Sequence, residues 1–340
     1  MRKFAIITDS CSDLYKDIRD KYDIDYVKMR FIVDGNDYPA SLDFEEFSVH
    51  DFYNLMRDGK RIRTAQVTEA TYIEAFEKYL AQGMDVLSIS CSSALSASIN
   101  GSYSARDKLL EKYPDAKIIC IDSLNSCSGL SIICMTASTL RSEGKSIEEV
   151  AEYIEAHKLE VNQLATVDSL EYLKRAGRVS SVSAVFGGML QVKPIIISDA
   201  IGQNASVEKV KGRKNSLNRL IELFKEYYVD APYQKIIVAH ADCEEDAIQF
   251  KAMVEAVRKA ERAMGIVDYE LTERKKKSRE FSRSLFIVED VKEGEILTEE
   301  NIRSIRPGFG LHPKYYNEVI GKEFKSDYKK GTPLSLELIK

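Results

Sequence analysis

Short apolar runs without polar alternation recur in the first half of the chain. Each ends in a hydroxyl-bearing turn and then passes into a stretch whose apolar positions fall at helical spacing. Residues 3 to 7, KFAII, precede Thr8-Asp9-Ser10 and a helix predicted from about Leu14 to Tyr22. Val86 to Ile89 runs into the serine-rich turn Ser90 to Ser96, where a helix reaching Tyr113-Pro114 begins; Lys117 to Ile121 runs into Asp122-Ser123 and a helix over Gly129 to Glu143. Strands that do not alternate are buried on both faces, and strands separated by helices build a parallel sheet. Ligands of such sheets sit at the carboxyl ends of the strands, where all three hydroxyl turns fall.

The connecting segments carry capping chemistry. A strand near Tyr26 to Val33 meets the turn signal Asp34-Gly35, and Ser48 caps a helix bearing Phe52, Leu55 and Met56, closed by Gly59. A basic, hydroxyl-bearing loop, Arg61 to Thr68, leads into a helix with Tyr72, Phe76 and Leu80 on one face, and Gly83 closes it. Ser146-x-x-Glu149 is a capping box. From Leu164 a second α/β region is predicted: a strand to Val167, a helix over Ser169 to Ala176 with Gly177 as its left-handed cap, Arg178 just beyond, and a second short helix. Strand Val192 to Ile197, a turn at Gly202 and a partner strand Ala205 to Val210 follow. Next come a helix over about Ser216 to Tyr228, a strand Lys235 to Ala239, and a helix capped by Asp242 that runs from Glu244 to Met264. Residues 268 to 283 are highly charged, as a solvated linker or exposed helix would be.

The end of the chain repeats itself. Asp290, Gly294, Leu297 and Ile302 recur as Asp327, Gly331, Leu334 and Ile339, each 37 positions on (327 − 290 = 37). Two half-units of that length predict a small β-rich module with pseudo-symmetry. Pro307-Gly308 between them makes a rigid turn that presents Arg306, either to solvent or to an anion.

Composition narrows the function. The 340 residues are 44% hydrophobic and 30% charged, with a net charge of −5, which speaks against nucleic acid as the main partner. No apolar run approaches the ~20 residues needed to span a bilayer. The opening MRKFAIITDS reads as a first strand rather than a signal peptide. Six cysteines without C-x-x-C spacing fit free thiols in a reducing cytoplasm and imply neither a metal site nor a cofactor.

The serine turn admits two readings. Serine is a preferred N-cap, so the cluster fits plain capping. A helix N-terminus also carries unpaired N–H groups and partial positive charge, so hydroxyls gathered there can hold a carboxylate or phosphate. A serine hydrolase using Ser92 or Ser93 is a further reading, opposed by the lack of a G-x-S-x-G elbow and by His240 as the one base available.

The motifs TDSCSDL (8 to 14), RTAQVT (63 to 68), SCSSALSAS (90 to 98), DSLNSCSGLS (122 to 131) and LEYLKRAGRV (170 to 179) follow one another as in the DegV family of bacterial fatty-acid-binding proteins, which residues 1 to about 250 resemble. The resemblance implies two α/β domains enclosing one long-chain fatty acid. It implies a carboxylate held by Thr64 and Ser93, with Ser92 beside them; apart from the resemblance, Thr8, Ser10 and Ser123 at the strand ends, with Arg178, are candidates for a secondary pocket. It also implies a carrier without chemistry of its own, which can present its cargo to a fatty-acid kinase. The family's GTY after the serine turn reads Gly101-Ser-Tyr103 here, and Ser131 stands for a glycine. The family's closing strand with its His-x-Gly-Pro-Gly motif is absent, and His240 matches an earlier position.

From about Arg258 the motifs SREFSRSLF, EGEILTEENIRSIRPGFGLHP and KKGTPLS resemble the C-terminal end of sialic-acid and related nonulosonic-acid synthases, including their antifreeze-like SAF domain. That likeness implies a sugar-acid contact at Arg306 and self-association or synthase contact through the module. It implies no synthase chemistry, because the barrel is missing. The expected divisions are a DegV N-terminal domain over 1–160, a truncated C-terminal domain over 161–257, a helix and charged linker over 258–283, and the SAF domain over 284–340. The two likenesses meet inside one helix, as a gene fusion or an assembly join would place them.

Overall fold

The computed structural model describes residues 2–180, 191–229, 232–264 and 281–340. The chain forms two compact units, Met1–Glu261 and Arg262–Lys340.

The first lobe of the first unit is built on a parallel sheet of β1 (Phe4–Asp9), β2 (Ile24–Val27), β6 (Asp85–Ser90) and β7 (Ile118–Asp122), in the order β2-β1-β6-β7. All three pairings are parallel, with Ile6 beside Ile24 and Leu87, and Ile89 beside Ile121. Successive side chains of a strand point to opposite faces, so β1 feeds two cores at once. Phe4 and Ile6 pack with Leu87, Ile89, Leu130, Ile133 and Ile154 on one face, while Ala5 and Ile7 pack with Tyr72, Phe76, Val86 and Leu109 on the other. Helices α3 (Glu69–Leu80) and α4 (Ser98–Lys112) cover the second face; α1 (Lys16–Tyr22), α5 (Cys127–Ser142) and α6 (Ile147–His157) cover the first. Tyr72 and Phe76 are fully buried, and each side chain of this size contributes about 1.5–3 kcal/mol of transfer free energy.

The caps predicted at Ser48 and Ser146 are present, and Thr68 adds one at the start of α3. Ser48, Thr68 and Ser146 accept from the backbone N–H three residues on, and Glu149 returns a bond to the Ser146 N–H to complete the capping box. Gly59, Gly83 and Gly177 hold positive φ.

Several expectations change. The strand predicted over Tyr26 to Val33 is interrupted at Lys28: β2 stays in the parallel sheet, while β3 (Met29–Val33) joins β4 (Asn36–Ala40) and β5 (Arg63–Ala65) in an antiparallel sheet ordered β4-β3-β5. The basic loop from Arg61 therefore contains a strand, in which Thr64 stands opposite Phe31. Phe31 in turn meets Phe52 of α2 (Val49–Arg57), edge to face, at 5.3 Å. The helix expected from Leu14 starts at Lys16, and the one expected from Ser96 starts at Ser98.

The second lobe carries β8 (Leu164–Thr166), α7 (Leu170–Ala176), β9 (Val179–Ser180), β10 (Val192–Ser198), β11 (Asn204–Lys211), α8 (Arg213–Tyr227) and α9 (Glu244–Met264). Its sheet runs β8-β10-β11-β9, with β10 and β11 forming the predicted hairpin about Gly202. The short helix expected after Arg178 falls largely outside the described residues. Lys235 to Ala239, expected as a strand, forms none, because no neighbouring strand pairs with it among the described residues. Asp242 does not cap α9. It holds a left-handed φ of 53°, and its carboxylate accepts from Arg57 Nη1 and lies 3.0 Å from His50 Nδ1, tying α2 to the second lobe.

The second unit bears out the repeat. β12 (Ser284–Ile287) and β13 (Ile302–Ile305) pair antiparallel around a core of Leu285, Ile287, Leu297, Phe324 and Leu334. The half-units exchange equivalent bonds. Gly294 N–H donates to Phe324 O and Gly331 N–H to Ile287 O, while Val291 and Tyr328, themselves equivalent, exchange both backbone bonds at 3.0 Å. Most of the charged stretch 268–283 lies outside the described residues.

Candidate functional site

Parallel strands end at one edge, so the turns after β1, β6 and β7 converge there, and backbone groups freed from the ladder need partners. Asp9 serves two of them. Its carboxylate is fully buried and accepts from Cys11 N–H at 3.0 Å and Cys91 N–H at 2.8 Å, locking the end of β1 to the end of β6. Burial pushes its pKa up to about 6, against the opposing pull of the two N–H donors.

The serine turn is built the same way. Ser92 N–H donates to Asn125 O, Ala94 N–H donates to Ser92 Oγ, and Ser96 N–H donates to Ser92 O. Ser93 N–H donates to Asp122 Oδ1 at 3.1 Å. Farther on, Ser98 Oγ accepts from Val67 N–H at 3.0 Å, which fastens the Thr64 segment to the start of α4. Gly101 makes the same approach possible, since a Cβ there would lie 3.0 Å from Val67 O.

The hydroxyls then separate into two groups. Ser92 is completely buried against Gly202 of the second lobe and is engaged with Ala94 N–H. Ser10 accepts from Met29 N–H, and Ser123 both donates to Asn125 O and accepts from Asn125 N–H. Thr8 is buried inside the sheet. Arg178 is exposed and donates to Ala176 O. By contrast, Ser93 and Thr64 are exposed, and neither hydroxyl makes a hydrogen bond among the described residues. Ser10, Ser92 and Ser123 are therefore engaged within the fold, whereas the Thr64 and Ser93 hydroxyls are open, on segments joined by Ser98.

His240 Nδ1 accepts from Cys243 N–H, and no contact joins it to Ser92 or Ser93 among the described residues. All six cysteines are free. Among the described residues no group of histidine, cysteine and carboxylate side chains is placed to hold a metal ion, and no helix is long and apolar enough to cross a membrane. Arg306 is exposed, ahead of a cis bond to Pro307.

Sequence reasoning did not find the apolar cavity of about 280 Å³ between α5–α6 and α8–α9. None of Thr64, Ser92 and Ser93 lines it. Its walls come from two stretches far apart in sequence, 128–164 and 220–254, so no local pattern marks it.

A two-lobed α/β unit with a hydroxyl-bearing edge on its parallel sheet, followed by a pseudo-symmetric β module, defines the class. The chain belongs to the DegV family: the profile of that family, described as uncharacterised proteins, matches residues 3–271, and that of the SAF domain matches 282–340. A DegV domain-containing protein of Clostridium perfringens is 39% identical over 254 residues, covering 75% of this chain and 87% of the relative. A stearic-acid-binding protein of Eubacterium ventriosum superposes with a TM-score of 0.66 at 25% identity, over 74% of this chain and 87% of that one. A DegV-family protein of Ruminococcus gnavus, solved with vaccenic acid, shares the fold with a TM-score of 0.66 at 21% identity, over 74% and 88%.

Proposed function

We propose that the chain binds one long-chain fatty acid, holds its carboxylate with the Thr64 and Ser93 hydroxyls, and presents it to a fatty-acid kinase without itself performing chemistry. The observation that carries this reading is the pair of open hydroxyls on segments clamped together by Ser98, beside the Ser10, Ser92 and Ser123 hydroxyls, which are already engaged. The stearic-acid-binding relative supports the choice of ligand. Methylene burial contributes about 0.8 kcal/mol per group, so the acyl chain supplies most of the affinity. A hydrogen bond to a charged head group adds about 1.5–3 kcal/mol and sets its orientation. Ser92 acts in this reading as a support for the turn.

The domain divisions at 160, 257 and 283, the cytoplasmic setting, and self-association or a sugar-acid contact at Arg306 belong to the same proposal. So does the join inside α9, which sequencing of the gene across residue 257 tests directly.

The deciding experiment is organic extraction of the purified chain followed by mass spectrometry, then titration of delipidated chain with palmitate. Near-stoichiometric fatty acid is expected. Ser93→Ala and Thr64→Ala should each weaken palmitate binding by roughly tenfold or more, the loss of one hydrogen bond to a charged group. Unchanged binding by both variants would remove the head-group assignment, and absence of any bound or bindable fatty acid would remove the function.

A further inference from the structure

We infer that Tyr233–Asp242 is a strap closing the cavity between the lobes, and that release of its Asp242 end lets the one fatty acid in and out, given the carrier function proposed for the chain. The segment leads from α8 to α9, yet its fastenings are to the first lobe. At one end Tyr233 Oη donates to Glu143 Oε2 at 2.7 Å, and its ring meets that of Tyr153 edge to face at 5.8 Å. At the other end the Asp242 carboxylate accepts from Arg57 Nη1 and lies 3.0 Å from His50 Nδ1, while Arg57 Nη2 donates to Asp242 O at 3.0 Å. Between these ends Lys235, Ile236, Ile237 and Val238 line the cavity, and Ile237 packs on the core of the first lobe.

No backbone ladder ties the strap to its own lobe. Lys235 to Ala239 joins no sheet, and no backbone N–H of 235–241 donates to another backbone group among the described residues. Both end residues hold a left-handed backbone, with φ of 59° at Tyr233 and 53° at Asp242. That conformation is costly for residues other than glycine, and it gathers at ligand clamps and switches.

The two fastenings differ in strength. The Tyr233 ring is packed against the core of the first lobe. The Arg57 and Asp242 side chains are 42% and 20% exposed, and ion pairs open to water contribute little. The Asp242 end is therefore the one that thermal motion frees, and freeing it uncovers the cavity that Ile236 to Val238 help to wall. Elsewhere the lobes are held at the turn after β7, where Ser198 Oγ donates to Leu124 O and Asn125 Nδ2 donates to Lys158 O. Asp242 shares no partner with that contact, so the strap can lift while the lobes stay joined.

The test follows cis-parinaric acid, a fluorescent polyene fatty acid, by stopped flow on the full-length delipidated chain. His50, Arg57 and Asp242 lie outside the cavity lining, so their contact biases closure alike with and without ligand. Arg57→Ala and Asp242→Asn should therefore speed association and dissociation together, roughly three- to fivefold, and leave the affinity within about twofold. Asparagine tolerates the left-handed backbone of position 242, so that variant removes the charge alone. The double variant should be no faster than either single one, because both groups act through one contact. A second readout needs no ligand: Lys235 is the sole trypsin site of the strap, and cleavage after it, read by mass spectrometry, should quicken in both variants. Faster dissociation alone, with affinity lost in proportion, would overturn the inference by placing these residues in the binding site itself. Rates and cleavage equal to the parent's would overturn it as well. If the parent chain binds no parinarate, the proposed function falls, and cleavage after Lys235 still decides whether the strap opens at Asp242.

Discussion

Gly202 lies directly against the Ser92 hydroxyl, with no room for a side chain between them. A Cβ at position 202 would overlap Ser92 Oγ and come within 2.9 Å of Leu124 Cα, and the glycine's φ of +77° is one that other residues adopt only with strain. Ser198 Oγ donates to Leu124 O nearby, so the β10–β11 turn is seated on the turns that follow β6 and β7. The seat fixes one lobe against the other at the edge where the open Ser93 sits.

Gly202→Ala should therefore cost stability twice, once for the backbone and once for the overlap. Each effect is of order 1–3 kcal/mol. Urea unfolding should show a lowered midpoint with an unchanged slope, and palmitate binding, on the proposed head-group assignment to Ser93, should weaken as the seat is pushed apart. A stability equal to that of the parent chain would show that the lobes reseat freely.

Ser98→Ala tests the clamp between the two open hydroxyls. Ser98 and Val67 are both buried, so removing the Ser98 hydroxyl strands the Val67 N–H away from water. A buried donor left without a partner costs about 1–3 kcal/mol. Palmitate affinity should fall although neither Thr64 nor Ser93 has been touched. Ser98→Thr, which keeps the hydroxyl, should recover part of both losses.

Asp9 predicts a pH signature. Its folded pKa of about 6 lies above the ordinary 3.8, so the folded chain holds this proton more tightly than the unfolded chain. Its contribution to stability is greatest below pH 3.8, declines as the pH rises from 3.8 through 6, and is constant above that. The span corresponds to about 3 kcal/mol at 1.36 kcal/mol per unit. The parent chain minus Asp9→Asn, compared by urea unfolding from pH 4 to pH 7, should lose stability across that window. An unchanging difference would mean that the carboxyl titrates normally.

Much of this edge was legible in the sequence because its signals are local. β1, β6 and β7 announce themselves as apolar runs, and Ser48 and Ser146 as caps, since each cap depends on a residue three positions away. β5 carried no such signal: Arg63 to Ala65 becomes a strand because β3 supplies a ladder. Asp242 looked like a cap, but its carboxylate is held by Arg57 and His50, some 190 residues earlier (242 − 50 = 192). Lys235 to Ala239 has the pattern of a strand and lacks only a partner, which no pattern can provide. The serine turn offered four hydroxyls alike, and burial and the bond from Ala94 N–H distinguish Ser92 from Ser93. The 37-residue repeat was readable in full, because equivalent sequence makes equivalent bonds.

That repeat yields the last prediction. Asp290 Oδ1 accepts from Lys330 N–H and Asp327 Oδ1 from Glu293 N–H, both at 2.9 Å; Lys329 Nζ reaches Asp290 and Lys292 Nζ reaches Asp327, both at 2.7 Å. Each half-unit thus donates to the other's aspartate through one backbone group and one lysine. The lysine and N–H donors hold both carboxyls below the ordinary carboxylate value, so their stabilisation is present above pH 3.8 and is lost on acidification. Exposed ion pairs contribute little, whereas a backbone N–H tied across the pseudo-twofold fixes the register of the halves. Asp290→Ala and Asp327→Ala should lower the melting temperature of the second unit by equal amounts, and Lys292→Ala and Lys329→Ala by clearly less. Calorimetry of the full chain at neutral pH checks this. Unequal losses for the two aspartates would show that the symmetry of the bonds is not a symmetry of energies.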